Sequence, residues 1–519
     1  MGAANKIELN TGDTFVAMKV EQAVGEMANH YAVLPVLGLI LYIVVVSIGI
    51  LGFLEICLRF NGKTRNKIDG KIKDTDLIGV TILRPLKGVD PEMEVCLRSS
   101  FEQDYPKNRL EIIFCVQDSD DPAIPIVDDL ISKFPDVDAK LMIDKPSEYG
   151  FTSSLKDNYG PNPKINNLAK GYKAAKFDTL WVIDSNVWAR PDILKRSIYT
   201  LTNDMHDGVR VGGTKRVQLI NHVPLAVSLD HNSVGADLDE MFLSSSHAKF
   251  YVSLNTLSIA PCINGKSNIY RRSDIDGAVK LMGQKAIAPS NNGLSGDNCK
   301  DAKYYGQYPG QGIRYFARYI GEDNMIGTAL WTYMGGRAGM TTDVVIQPLD
   351  GSNTLIDYVN RRVRWLRVRK YMVLAATLVE PTTECIIAGI IGTLSLSLLI
   401  WDQYFNFSFF IFHVMVWFCI DYIQYYLLCQ CAIVPSHCAS DVTLPYFVRG
   451  SYRFKGKLPL FNTPIKSFRW FVTIWIIREI LAFPIWLIAM MGSVIDWRGQ
   501  PFQINSDLTV ERLYKSTDK

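Results

Sequence analysis

Three aspartates and one arginine–tryptophan segment are the residues of this chain best suited to chemistry. Asp118 and Asp184 each stand at the end of an apolar run, residues 111–117 and 180–183. In open α/β sheets ligands bind just outside the carboxyl ends of the strands, so an acid there meets them. An acid with a polar residue two positions on, as Asp184 has in Asn186, suits a divalent metal bridging to phosphate. Turn formation explains Asp184-Ser185-Asn186 equally well, because such side chains hydrogen-bond their own backbone. Asp323 lies in Gly321-Glu322-Asp323-Asn324, opening a helix of about ten residues, where an acidic pair is electrostatically ordinary. Arg361-Arg362-Val363-Arg364-Trp365 continues through Arg367, Arg369 and Lys370 as a basic amphipathic segment. It fits an anionic membrane surface, and it fits the clamping of a pyrophosphate by planar guanidinium forks.

These residues need a scaffold, and residues 77–183 supply its pattern. Apolar strands are expected at 77–83, 111–117, 140–143 and 180–183. Helices are expected between them, at 91–101 (with Asp90 placed to cap and Pro91 at the first position), 122–134 and 165–175. Alternation of this kind predicts an α/β domain with a doubly wound, mostly parallel sheet. Residues 211–213 and 249–254 read as further strands, 262–268 as a polar loop and 283–312 as an exposed insertion rich in Gly, Asn and Lys. Gly265-Lys266-Ser267 lacks the glycine five residues earlier that a phosphate-binding P-loop needs.

The flanks are apolar. Residues 31–58 carry only Glu55 as a charge, long enough to span a bilayer. Arg59, Lys63, Arg65 and Lys67 follow this span, whereas Glu21, Glu26 and His30 precede it. The excess of basic residues puts residues 1–30 on the lumenal side and residue 60 onward in the cytosol. The domain plan is therefore a lumenal extension 1–30, a signal-anchor 31–58, a cytosolic domain 71–370, membrane-associated helices 371–496 and a polar tail 497–519. Within 371–496, Glu380-Pro381 and Glu384 separate an interfacial helix from spans at 385–401, 405–429 and 470–494. His413, Asp421, Arg478 and Glu479 fall inside these spans. A charge at a helix centre costs about 2.5–3.5 kcal/mol, so such residues face protein or a cavity, or the third stretch lies partly at the membrane surface. The basic loop 432–467 falls in the cytosol, and the sequon Asn406-Phe407-Ser408 lies at the lumenal edge, close to the bilayer. Ten cysteines without a repeating paired spacing argue against a disulfide framework. Cys429-x-Cys431 with His437-Cys438 is a weak zinc set. The net charge of +3 over 519 residues points to no nucleic-acid partner.

A cytosolic α/β domain with strand-end acids, a late acidic pair and cations beside the membrane fits a nucleotide-sugar transferase. Asp118 would serve the nucleoside, Asp184 the metal and diphosphate, Asp323 the acceptor hydroxyl, and Arg361, Arg364 and Trp365 the departing UDP. The ordered set then becomes specific. Leu83-Arg84-Pro85-Leu86-Lys87-Gly88-Val89-Asp90, Cys115-Val116-Gln117-Asp118-Ser119-Asp120-Asp121-Pro122-Ala123, Gly160-Pro161-Asn162-Pro163-Lys164-Ile165-Asn166-Asn167-Leu168, Asp184-Ser185, Glu322-Asp323 and Arg361-x-x-Arg364-Trp365 span residues 83–365. This set resembles the ceramide glucosyltransferases, membrane members of the GT-A, family 2-like glycosyltransferases.

The resemblance implies a GT-A-type fold and inverting transfer of glucose from UDP-glucose to the primary hydroxyl of ceramide held in the bilayer. It implies Asp118 on the uridine side, Asp184 at a Mn²⁺ or Mg²⁺ ion, Asp323 as base, and Arg364 and Trp365 at the donor–acceptor junction. Lys164, Arg361, His247 and Cys262 are expected at the substrates, although a structural histidine at 247 is as consistent with the sequence. A Golgi or ER membrane with a cytosol-facing catalytic domain follows. The long N-terminal extension, the 283–312 insertion and the tail depart from the family pattern. Processive polysaccharide synthases use the same aspartates, but usually carry Gln at the position of Arg361 and more spans. Dolichyl-phosphate sugar transferases differ in their motif set, and a transporter or receptor needs neither the third acid nor the arginine–tryptophan segment.

Overall fold

The computed structural model describes residues 11–144, 159–206, 209–210, 215–229, 233–285, 296–432, 445–448, 466–497 and 499–513. Its centre is an eight-stranded sheet built from β1 (Val80–Leu86), β2 (Leu110–Val116), β3 (Asp138–Ile143), β4 (Thr179–Ile183), β5 (Trp188–Ala189), β8 (Val217–Ser228), β9 (Ser267–Arg271) and β10 (Arg337–Leu349). A short hairpin of β6 (Met205–His206) and β7 (Val209–Arg210) stands apart from it. The strand order is β3-β2-β1-β4-β9-β8-β10-β5. β3, β2, β1 and β4 run parallel, as do β8 and β10, while β9 is antiparallel to both its neighbours and β5 to β10. The α/β expectation with a mostly parallel sheet therefore holds.

The central strands are buried on both faces, which is why they read as continuous apolar runs. The alternation of side chains still sorts them into two cores. Ile82, Ile112, Phe114, Trp181 and Ile183 point to one, and Leu83, Ile113, Cys115, Leu180 and Val182 to the other. The first is covered by α3 (Met93–Phe101), α4 (Ile124–Lys133) and α6 (Ile193–Thr202), and the second by α5 (Pro163–Ala174), α9 (Arg272–Lys285), α10 (Gly296–Tyr305) and α11 (Glu322–Tyr333).

The remaining helices lie toward the apolar flanks. They are α1 (Thr11–Arg59), α2 (Gly62–Asp69), α7 (Val234–Phe242), α8 (Ala248–Leu257), α12 (Leu355–Met372), α13 (Leu374–Val379), α14 (Cys385–Ile400), α15 (Phe407–Ala432) and α16 (Phe468–Met490). Among the described residues, three helical stretches are long and apolar enough to cross a membrane, Val33–Arg59, Phe407–Cys429 and Phe468–Met490. α13 with the turn after it and α14 form a pair bent by 86°, making up to four. The bend falls where Glu380-Pro381 and Glu384 interrupt the sequence. These helices make the chain a membrane protein.

Three expectations are corrected. Residues 249–254 are not a strand but part of α8, because Ala248, Tyr251, Val252 and Asn255 are buried at helical spacing. The insertion 283–312 is not wholly exposed: α10 packs on α9, with Ala302 in the core, while residues 286–295 lie outside the described residues. The tail is not simply polar. β11 (Val494–Trp497), β12 (Gln500–Ile504) and β13 (Val510–Arg512) form an antiparallel meander whose Ile495, Phe502, Ile504 and Val510 pack against Ile320, Val368 and Tyr371. Residues 211–213, His437 and Cys438, and nearly all of the 432–467 loop also lie outside the described residues. The thiol of Cys431 is engaged by Arg65 at 2.8 Å and directed at the carbonyl of Thr342 at 3.3 Å.

Candidate active site

β1, β2 and β4 end along one edge of the sheet, and β9 begins there, so their flanking residues converge. Asp184 follows β4 directly; Lys266 precedes β9, whose Ser267 pairs with Ile183. The Asp184 amide donates to the Lys266 carbonyl at 3.1 Å, and buried Arg84 donates to the Asp184 carbonyl at 2.6 Å and to that of Val187 at 2.9 Å. The β4 end is thus fixed from both sides. Asn167 holds the neighbouring ends, donating to the carbonyls of Leu86 and Cys115 at 2.9 and 2.8 Å.

Lys164 sits in the first turn of α5, which starts with Asn162 as N-cap and Pro163 next, an arrangement helices favour. Its ammonium lies 2.8 Å from Asp184 Oδ1, 3.3 Å from Glu322 Oε1 and 2.9 Å from the Gly265 carbonyl. Lys266 Nζ is 3.3 Å from Asp184 Oδ2. Asn162 turns its amide to Glu322 Oε2 at 2.9 Å, which ties the start of α11 to the start of α5. Asp323 comes next on α11. A methyl built on Gly265 would touch both Asp323 Oδ2, at 3.4 Å, and Lys164 Nζ, at 3.3 Å. Lys164, Glu322 and Asp323, with Leu219, Asn268 and Tyr270, line a small pocket.

The electrostatics separate the two aspartates. Burial works to raise the Asp184 carboxyl, but the ammoniums of Lys164 and Lys266 outweigh it and hold the group below its ordinary value. Burial and then the neighbouring charge of Glu322 push Asp323 up to about 7, against the pull of Lys164. One carboxylate stays ionised while the other is poised to exchange a proton near neutrality, the pattern that distinguishes acid–base partners.

The other expected residues are placed more widely. Asp118 is exposed two residues beyond β2, two strands from Asp184 and so about 10 Å across the sheet. Its loop is held by Asp121, which accepts from the amides of Gly88 and Ala123. His247 closes a π turn, Leu243–His247, between α7 and α8 and stacks on Tyr251 at 5.1 Å. Its Nδ1 is buried without a partner; burial, then Arg362 and Arg369, push the ring down to about 3. It is therefore a neutral imidazole. Tyr251 accepts from Asn264 at 2.6 Å, in the loop carrying Cys262 and Gly265, and burial raises the Cys262 thiol.

The arginine–tryptophan segment lies on α12. Arg361 is bound by Asp239 of α7 and by Asn353 Oδ1 at 2.8 Å. Arg364 reaches the Asp496 carbonyl at 3.4 Å, and Trp365 packs 6.2 Å from Phe242. The structure therefore brings Asp184 and Asp323 together around the Lys164 ammonium and sets Arg361, Arg364 and Trp365 along a helix facing α7 and the meander.

Four contributors escaped the sequence reading as site residues. Lys266 lies in the incomplete P-loop sequence, and its place depends on the antiparallel register of β9. Glu322 and Arg84 carry a weak signal by lying inside matched segments, whereas Asp239, one of three acids in α7, carries none. Among the described residues no group of three His, Cys, Asp or Glu side chains could hold a metal. A Mg²⁺-like ion needs only one or two carboxylates when phosphates and water complete its shell, and Asp184, with its oxygens directed at the ammoniums of Lys164 and Lys266, fits that.

The sequence model of Glycosyl transferase family 21 matches residues 41–280 and 309–510. The chain is 47% identical over 487 residues to a ceramide glucosyltransferase of Komagataella phaffii, covering 92% of each. It is 42% identical over 545 residues to the ceramide glucosyltransferase of Candida albicans, covering 92% of this chain and 97% of that one. Among solved structures it is similar to the mannosyltransferase PcManGT from Pyrobaculum calidifontis in complex with GDP-Man and Mn²⁺, at 14% identity and a TM-score of 0.36, covering 87% of this chain and 98% of that one.

Proposed function

We propose, from the premise that the chain belongs to glycosyl transferase family 21, that this membrane glycosyltransferase moves glucose from UDP-glucose to the primary hydroxyl of ceramide with inversion, giving β-glucosylceramide. The observation that carries the chemistry is the pairing beside Lys164 of an ionised Asp184, held by Lys164 and Lys266, with an Asp323 raised to about 7.

Asp323 takes the proton of the ceramide hydroxyl as that oxygen forms its bond to the anomeric carbon. The bond from that carbon to the β-phosphate oxygen breaks, and UDP carries the electron pair away. A base near the working pH combines ionisation with driving force, and such a group supplies about 10²–10⁴-fold in rate. Lys164 and Lys266 give the diphosphate end a fixed positive field, which Arg361 reinforces from α12. Mn²⁺ or Mg²⁺, held by Asp184 and the diphosphate, would neutralise charge on the leaving group. Asp118 serves the uridine side, Arg364 and Trp365 the donor–acceptor junction, and His247 and Cys262 the acceptor side. The neutral His247 suits an apolar acceptor better than a charged one. The catalytic domain faces the cytosol on a Golgi or ER membrane, with the amino terminus lumenal.

Full-length protein in lipid nanodiscs, given labelled UDP-sugars with and without ceramide, tests this. UDP-glucose with ceramide is expected to yield labelled glycolipid; transfer without ceramide, or only from another donor, would reject it.

A further inference from the structure

The third apolar stretch, α16, passes every test of length and hydropathy for a membrane span. Its two ends contradict that role. Just before its first residue, Lys466 pairs with Asp237 of α7 at 3.5 Å. At its far end the carbonyls of Ile488, Met490 and Gly492 accept from Arg367 and Lys370 of α12, at 3.1, 3.2 and 2.6 Å. α7 and α12 belong to one side. They follow the adjacent parallel strands β8 and β10, and they are joined by Arg361–Asp239 and by Ser233 donating to the Asn353 carbonyl at 2.7 Å.

A helix of 23 residues is about 35 Å long, slightly more than the hydrocarbon thickness of about 30 Å. Were it to cross, one end would lie across the bilayer from the domain that both ends touch. We propose that α16 does not cross the membrane but lies in its plane, as the surface by which the catalytic domain rests on the lipid.

The charges agree with this. Arg478 and Glu479, in mid-helix, turn toward protein: Arg478 donates to Glu384 at 2.6 Å and to Ser246 at 3.0 Å, and Glu479 accepts from the Ile386 amide at 3.2 Å. Glu384 begins α14, and Ser246 neighbours His247 in the π turn. Trp475 donates to Asp421 of α15 at 2.9 Å, and Lys249 of α8 binds the same carboxylate at 2.7 Å. The opposite side carries the exposed ridge Ile476, Ile480, Phe483 and Leu487, and α13, α14 and α15 carry exposed apolar residues of their own. A ridge without charge next to true spans has the lipid acyl chains as its partner. In this arrangement α1, α14 and α15 cross, and the β11–β13 meander lies on the same side as the sheet.

Single cysteines in the full chain, in sealed microsomes, test the topology with a membrane-impermeant maleimide read on the peptide that carries each. Ser506→Cys, in the exposed turn between β12 and β13, is expected to label from the same side as Asp128→Cys on α4 and from the side opposite to Gln403→Cys, between α14 and α15. Labelling of Ser506→Cys with Gln403→Cys would overturn the proposal, whatever the enzyme's substrate.

Discussion

Replacing Lys164 by methionine should move the acid limb of the rate profile upward. The base must be ionised to act, so kcat/KM rises with pH through the Asp323 value of about 7 and levels off above it. Lys164 opposes the burial that raises this group. Its ammonium and the Asp323 carboxylate both lie within 3.4 Å of one point beside Gly265, so they are no more than about 7 Å apart. At an effective dielectric of about 20, unit charges at about 7 Å attract by about 2 kcal/mol. At about 1.4 kcal/mol per tenfold change in an equilibrium, losing that attraction moves the limb up by one to two pH units. Near pH 7, where the wild-type base is half ionised, the variant should therefore lose about 5–50-fold in kcat/KM and recover much of it at about pH 9. Initial rates at subsaturating UDP-glucose, in nanodiscs across that range, measure this, with UDP affinity determined separately. A limb that stays in place or moves to lower pH while UDP still binds would refute the coupling between Lys164 and the base.

Asp323→Asn should reduce turnover by about 10²–10⁴-fold while leaving UDP binding by calorimetry near normal; retained turnover would remove the base assignment. Asp184→Asn should weaken UDP binding itself, because Lys164 and Lys266 lose the carboxylate that positions them and any ion loses its anchor; unchanged affinity with Mn²⁺ present would count against its role. Arg361→Ala should lower the melting temperature more at about pH 8 than at about pH 5. Burial already raises Asp239 to about 6 despite Arg361 and Arg362. A carboxyl raised on folding favours the folded state most below its unfolded value, and that contribution is lost as pH rises through the folded one. A loss independent of pH would show that Arg361 matters through packing alone.

Much of this site was written locally in the chain. β2 and β4 announce themselves as apolar runs, and an acid at such an end faces the cleft because parallel strands end together. Asn162-Pro163 marks the helix that carries Lys164. What escaped depends on contacts distant in sequence. Lys266 reaches Asp184 only because β9 pairs antiparallel with β4, a register no local pattern fixes. Residues 249–254 mix aromatic and β-branched residues as strands do, but α1 and β8 bury them at helical spacing. Val494–Trp497 and Gln500–Ile504 alternate too briefly to stand out, and only the apolar patch around Val368 makes them a sheet. Hydropathy marks α16 as apolar but cannot register that α7 and α12 hold its two ends.

The central claim is a transfer that inverts at carbon one of glucose and stops after one sugar. The most direct measurement is the product of the full-length protein with UDP-[¹³C]glucose and ceramide in nanodiscs, isolated and examined by NMR at the anomeric carbon. The account predicts one β-linked glucose on the primary hydroxyl of ceramide for each UDP released. An α-linked product, a glucose polymer, or UDP release without a glycolipid would contradict it.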